Sequence, residues 1–201
     1  MMSFDKEFEH RQQLFDAALE EFISGGYENA SINTILTNAG MSKGQFYYHF
    51  KSKEELYFAL IDIMVKRKVE FLSQLMKPED YAQDIFSIFK TQLQYGLAFA
   101  REYPEINRFS ESFIREKGNL IYKKAMEMYS FEENDAVTAL VERAYQNNEF
   151  RDEFPLPFIK TTIGFLFNNV VELLNFGNFD EVEEQMNYLI DFMKTGLASK
   201  P

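Results

Sequence analysis

The sequence predicts an all-α protein with a small three-helix head at its N-terminus and a larger helical body behind it. Three observations predict this. Apolar residues recur three and four apart through almost the whole chain, and alternating apolar–polar runs are hard to find. The breaks between periodic stretches carry helix-ending residues, among them Gly25-Gly26, Gly40, Pro78, Pro104, Gly118 and Gly177. Two short Ser-led patterns, Ser42-x-x-Gln45 and Ser52-x-x-Glu55, are capping boxes, in which each serine and its partner satisfy the first free N–H groups of a helix.

The first helix is expected over about 5–24, with Phe8, Leu14, Phe15, Ala18, Leu19, Phe22 and Ile23 as its apolar stripe and Gly25-Gly26 as its end. A short second helix follows over 31–38, N-capped by Ser31 and with Ile32, Ile35 and Leu36 inward. After the Gly40 break a third helix opens at Ser42 and a fourth at Ser52, which runs to about Leu75, where Lys77-Pro78 stops it. Further helices are expected at 79–101, 105–116, 119–130, 132–148, 155–176 and 180–197.

Composition removes several function classes. The chain has no Cys, so disulfides, thiolate nucleophiles and Cys-bound metals are out, and its two histidines, His10 and His49, lack ligand spacing. No loop has a phosphate-cradling glycine pattern or a nucleophile elbow, so no catalytic residues, metal or cofactor are expected and an enzyme is not. No stretch reaches the ~20 apolar residues that span a bilayer, and no apolar leader is visible, so the expectation is a cytoplasmic protein. The 22 Phe and 11 Tyr, with no Trp, supply core and leave rings over for a ligand cavity.

Net charge is -11, yet no acid lies between Glu28 and Glu54. That acid-free window contains Lys43, Lys51 and Lys53 around the third helix. At 100° per residue, Phe46 and Phe50 share one side of that helix and can pack on Ile35 and Leu36, while Gly44, Gln45, Tyr47 and Tyr48 face away, flanked by Lys43 and His49. A major groove about 12 Å wide accepts one such helix. Gly44 lets backbone approach base edges, Lys43 can donate to guanine or to phosphate, and Gln45 can pair with adenine. Tyr47 and Tyr48 offer hydroxyls to phosphates and ring faces to thymine methyls, and Ser31, Thr34, Lys51 and Lys53 lie at helix starts suited to phosphates.

Residues from about 10 to 60 closely resemble the DNA-binding domain of TetR-family transcriptional regulators. The resemblance is carried by Ala17-Ala18-x-x-x-Phe22, Gly26-Tyr27, Ser31, Ile35 and the run from Ala39 through Phe50 to Leu56. It implies a dimer that sets two recognition helices, each from Ser42 to Phe50, into successive major grooves of a near-palindromic double-stranded operator. By that resemblance Lys43, Gly44, Gln45 and Tyr47 approach bases, and Ser31, Ser42, Tyr48, His49 and Lys53 contact backbone phosphates. Two departures stand out: Leu36 replaces the usual small residue, and the N-terminal arm lacks the basic residues some members place in the minor groove, so no arm contact is expected.

The resemblance further implies a C-terminal helical ligand-binding and dimerisation domain. The expected division is 1–53 for the DNA-binding head and 54–201 for the remainder, with the fourth helix, 52–75, linking them. The segments 157–176 and 180–197 are the expected homodimer interface, because the first is apolar on nearly all sides and needs cover all round. Thr161, Phe165, Asn168 and Glu172 share a stripe on it, and Tyr95, Phe99, Phe109, Phe113, Tyr122 and Tyr129 are candidate cavity walls, with Glu172 or Glu111 as a carboxylate for a cationic effector. Neutral apolar and acyl effectors stay open, as does a ligand-independent regulator whose C-terminal domain meets another protein. Repressor and activator are not distinguished.

Overall fold

A computed structural model describes residue 4 and residues 6–129, 136–170 and 179–199. Among these the fold is all-helical, the one extended pairing being an isolated bridge between Phe150 and Ala198. It divides into two compact units: residues 1–71 with 99–132, and residues 72–98 with 133–201. The boundary expected at 53 is drawn on the assigned DNA-binding residues; the packing units are divided otherwise.

The first unit begins with α1 (Arg11–Asn29). The helix starts at Arg11 instead of Asp5 because His10 is left-handed (φ 63), which the helix cannot continue through. Ahead of it Phe4 turns inward, 1% exposed, and Arg11 Nε donates to its carbonyl at 2.6 Å. Leu14, Phe15, Ala18, Leu19 and Phe22 are buried as the stripe requires. The glycine pair does not end this helix. Gly26 (φ 65, ψ 178) kinks it, and one more turn carries it to Asn29.

Next come α2 (Ile32–Ala39), α3 (Lys43–His49) and α4 (Lys53–Leu75). Ser31 caps α2 through Thr34 N–H, and Gly40, in the left-handed region, closes it with bonds to Leu36 and Thr37 carbonyls. The Ser42–Gln45 capping box is complete in both directions. At α4 the box is shifted: Ser52 Oγ accepts from Glu55 N–H at 3.1 Å, but the Glu55 carboxylate reaches Lys51 N–H at 2.6 Å.

This unit closes with the end of α5 (Ile85–Glu102), α6 (Pro104–Arg115) and α7 (Leu120–Tyr129). Its core is strongly aromatic, with Tyr57 in contact with Phe22 at 4.8 Å, Tyr27 at 5.1 Å and Phe109 at 5.5 Å between ring centres. Burial, then the Glu116 carboxylate, push the Tyr57 phenol far up, so it stays protonated. Glu116 is itself buried and has work to do: its Oε1 accepts from Tyr27 N–H at 2.7 Å, the donor freed by the Gly26 kink.

The second unit holds the first part of α5, then α8 (Ala136–Gln146), α9 (Leu156–Asn168) and α10 (Phe179–Leu197). Ile85, Ile88, Phe89, Val141, Ile159, Ile163, Ile190 and Met193 form its core. The helix expected from 79 begins at Ile85, preceded by a 3₁₀ turn at Pro78–Ala82, because Asp84 Oδ1 takes the Phe86 and Ser87 N–H groups and caps the helix there. Residues 171–176 of the helix expected over 155–176 lie outside the described residues. No helix among those described is long and apolar enough to cross a membrane.

Candidate nucleic-acid interface

Helix α3 is held from beneath and open above. Phe46 is fully buried and Phe50 1% exposed, with their rings 5.8 Å apart, so the helix is pinned by one face. Lys43 and Gly44 are exposed, and Tyr47 and Tyr48 are 56% and 73% exposed. The sequence-predicted outward face is therefore assembled: Lys43, Gly44, Tyr47 and Tyr48 stand together on the solvent side. A Cβ placed on Gly44 would meet only Ser42 Oγ, at 4.0 Å, so nothing in the protein itself demands glycine there.

The remaining predicted residues have prior engagements. Gln45, half-buried, gives its Oε1 to Ser42 N–H at 2.9 Å and its Nε2 to Glu9 Oε2 at 3.3 Å. His49 lies flat on Phe8, ring centres 4.1 Å apart and 22° from parallel, with Tyr48 edge-on at 5.0 Å. Ser31 donates its N–H to Glu21 at 2.8 Å, while its hydroxyl caps α2 beside the exposed Thr34. Lys53 turns inward: Nζ donates to the Glu28 carbonyl at 3.0 Å and the Ala30 carbonyl at 3.1 Å, and sits 4.7 Å from the centre of the Tyr27 ring. It closes the open C-terminal carbonyls of α1, and one of its three N–H groups remains for another acceptor. Lys51 is exposed.

Phe8 and Glu9 were not predicted at this surface, because a helix starting at residue 5 points them elsewhere. The Phe4/Phe8 spacing was the available signal, but only the turn at His10 brings those rings back onto α3.

The candidate effector residues are scattered. Phe99, Phe109 and Phe113 are packed into the core of the first unit, where Tyr122 stacks on Phe113 at 4.9 Å and the Tyr129 hydroxyl donates to the Phe58 carbonyl and to Asp62. Phe109 is fully buried and Phe113 6% exposed, so these rings fill space instead of walling it. In the second unit Tyr95 donates to Asp80 at 3.3 Å, and Phe165 is 61% exposed. Glu111 accepts from Asn107 at 2.8 Å. Glu172 and the side chain of Asn168 lie outside the described residues. A groove of about 440 Å³ in the first unit is lined by other residues, including Asp16, Glu20, Arg67, Glu102, Tyr103 and Glu105. No group of acids and histidines among the described residues is arranged to hold a metal ion.

Residues 14–60 match the family model for bacterial regulatory proteins of the tetR family. The chain is 24% identical over 172 residues, 83% of each chain, to the HTH-type transcriptional repressor Rv1474c of Mycobacterium tuberculosis. It is 41% identical over 69 residues to the HTH-type transcriptional activator FasR of Mycolicibacterium smegmatis, which is 34% of this chain and 32% of that one. The fold is shared with the crystal structure of a TetR family transcriptional regulator from Chloroflexus aurantiacus at a TM-score of 0.67 and 21% identity, over 98% of this chain and 97% of that one.

Proposed function

We propose that this chain, which belongs to the TetR family of helix-turn-helix transcriptional regulators, binds a palindromic operator as a homodimer and is released from it by a small-molecule effector. The observation that carries the reading is the outer face of α3. Exposed Lys43, Tyr47 and Tyr48 surround a glycine that the protein's own packing does not need. In a major groove Lys43, Gly44, Gln45 and Tyr47 meet base edges, while Ser31, Ser42, Tyr48, His49 and the remaining N–H of Lys53 meet phosphates. Regulation of transcription in the cytoplasm follows from this reading, and repression is its proposed sign, supported by a repressor relative matched over most of its length.

The homodimer is supported by an uncovered apolar face on the second unit. Phe158 and Phe165 on α9 are 48% and 61% exposed, and Tyr188 and Phe192 on α10 are 64% and 70% exposed. Four large side chains in water on two helices call for a partner, and a second copy with two-fold symmetry covers each set with its counterpart. Release then works by linkage: an effector that prefers the conformer with misplaced recognition helices weakens operator binding by the same factor.

Two experiments test this. Tyr48→Phe combined with Lys53→Ala should weaken binding about equally on all sequences and flatten the salt dependence, whereas Lys43→Ala should change discrimination at particular base pairs. Fluorescence anisotropy of an operator complex titrated with a chemically diverse panel should show release by one compound class. A second reading, a ligand-independent regulator that meets another protein, is favoured by one observation, the filled packing around Phe109 and Phe113. A complex that no compound disturbs would select it.

A further inference from the structure

Resting on the reading of α3 as the groove-entering helix, we propose that Glu9 is a positioning residue that sets base preference only through Gln45. The turn that carries Glu9 is anchored, not loose. Phe4 is buried 5.6 Å from the ring of Phe15 and 5.2 Å from that of Phe50, and Phe8 stacks on His49. Arg11 ties the turn back through the Phe4 carbonyl, and the left-handed His10 aims the chain into α1. Glu9 is thereby fixed beside the recognition helix from outside it.

The chemistry of the contact permits one arrangement. Ser42 N–H can only donate and the Glu9 carboxylate can only accept. The Gln45 carboxamide lies between them, with its oxygen 2.9 Å from the first and its nitrogen 3.3 Å from the second. Turning the amide over would set oxygen against carboxylate and N–H against N–H, so its orientation is determined by its neighbours. One N–H and one lone pair are left for a base edge. An unheld glutamine can offer its amide either way round and so suit more than one base; a held one offers a single pattern.

Glu9 also brings negative charge to a surface that meets phosphate. Its two effects therefore oppose each other: it narrows base preference while weakening binding to every sequence. No simple surface carboxylate does both.

The test uses the full chain and the DNA site it selects from a random library, with affinities measured for that site and for copies changed at each base pair. Glu9→Ala should bind off-site sequences more tightly and lose about fivefold or more of its discrimination at the base pair that Gln45→Ala also affects. Adding Glu9→Ala to Gln45→Ala should cost no further discrimination. Glu9→Gln, which keeps an acceptor oxygen but no charge, should retain discrimination while sharing the general gain in affinity. The Glu9 side chain is 76% exposed, so both variants should melt like the parent, and Glu9→Gln is the control if Glu9→Ala does not.

Discrimination left intact in Glu9→Ala, or lost at base pairs that Gln45 does not influence, would overturn the proposal. A Gln45→Ala protein with unaltered preference everywhere would instead overturn the placement of α3, and the proposal with it.

Discussion

Gly26 and Gly44 are both glycines inside helical stretches, for opposite reasons. At Gly26 the backbone sits at φ 65 and ψ 178, a region open almost only to glycine, and an added Cβ would lie 2.7 Å from Glu116 Oε1. Gly26→Ala should therefore cost about 1–3 kcal/mol, read as a lower melting temperature. Gly44 has ordinary helical backbone and open space around it, so Gly44→Ala should raise stability by up to about 1 kcal/mol through helix propensity. The same change should weaken operator binding, because the methyl group stands between backbone and base edges. Unaltered DNA affinity in Gly44→Ala would mean that the glycine serves nothing outside the protein. Lys53 marks the limit of reading such residues from sequence. Its position at the start of α4 was legible, but its use on the Glu28 and Ala30 carbonyls depends on where α1 ends, which the glycine pair misreported.

Helix identity was legible almost throughout, because apolar spacing reports the buried face directly; helix ends were not. The start of α1 moved from residue 5 to Arg11 because Phe4 and Phe8 find better partners on Phe50 and His49 than on a continued helix, a long-range choice that local spacing does not encode. The start of α5 moved to Ile85 because Asp84 caps it. Burial works to raise the Asp84 carboxyl, but hydrogen bonds from Ser87 and the nearby Lys194 and Phe86 outweigh it, and the group is held below its usual value. A carboxyl depressed in the folded state stabilises above its unfolded value and loses that contribution as pH falls through the folded one. Asp84→Ala should therefore cost about 1 kcal/mol at neutral pH. Its melting curve should converge with that of the parent only as pH falls below the ordinary carboxylate range, where the parent's depressed cap protonates. A constant difference at every pH would assign the loss to packing instead. The candidate effector walls show a second limit. Aromatic residues at helical spacing describe a filled core and a lined cavity equally well, and Phe109 and Phe113 turn out to fill.

For the molecule as a whole, the reading needs two copies: one α3 spans one groove, and a near-palindromic site needs a second about 34 Å away. The proposed pairing uses the exposed face on α9 and α10, so Tyr188→Glu with Phe192→Glu should sediment as a monomer and lose most operator affinity while each chain stays folded. A variant that still sediments as a dimer would place the interface elsewhere. The most direct measurement is selection of DNA from a random library by the purified protein, followed by anisotropy with the parent and with Lys43→Ala and Gln45→Ala. The prediction is a palindromic site bound by one dimer, with each substitution altering preference at its own base pairs in both half-sites. Failure to enrich any site, or a site that all three proteins bind with identical preference, would contradict the assignment of α3 to the reading of DNA.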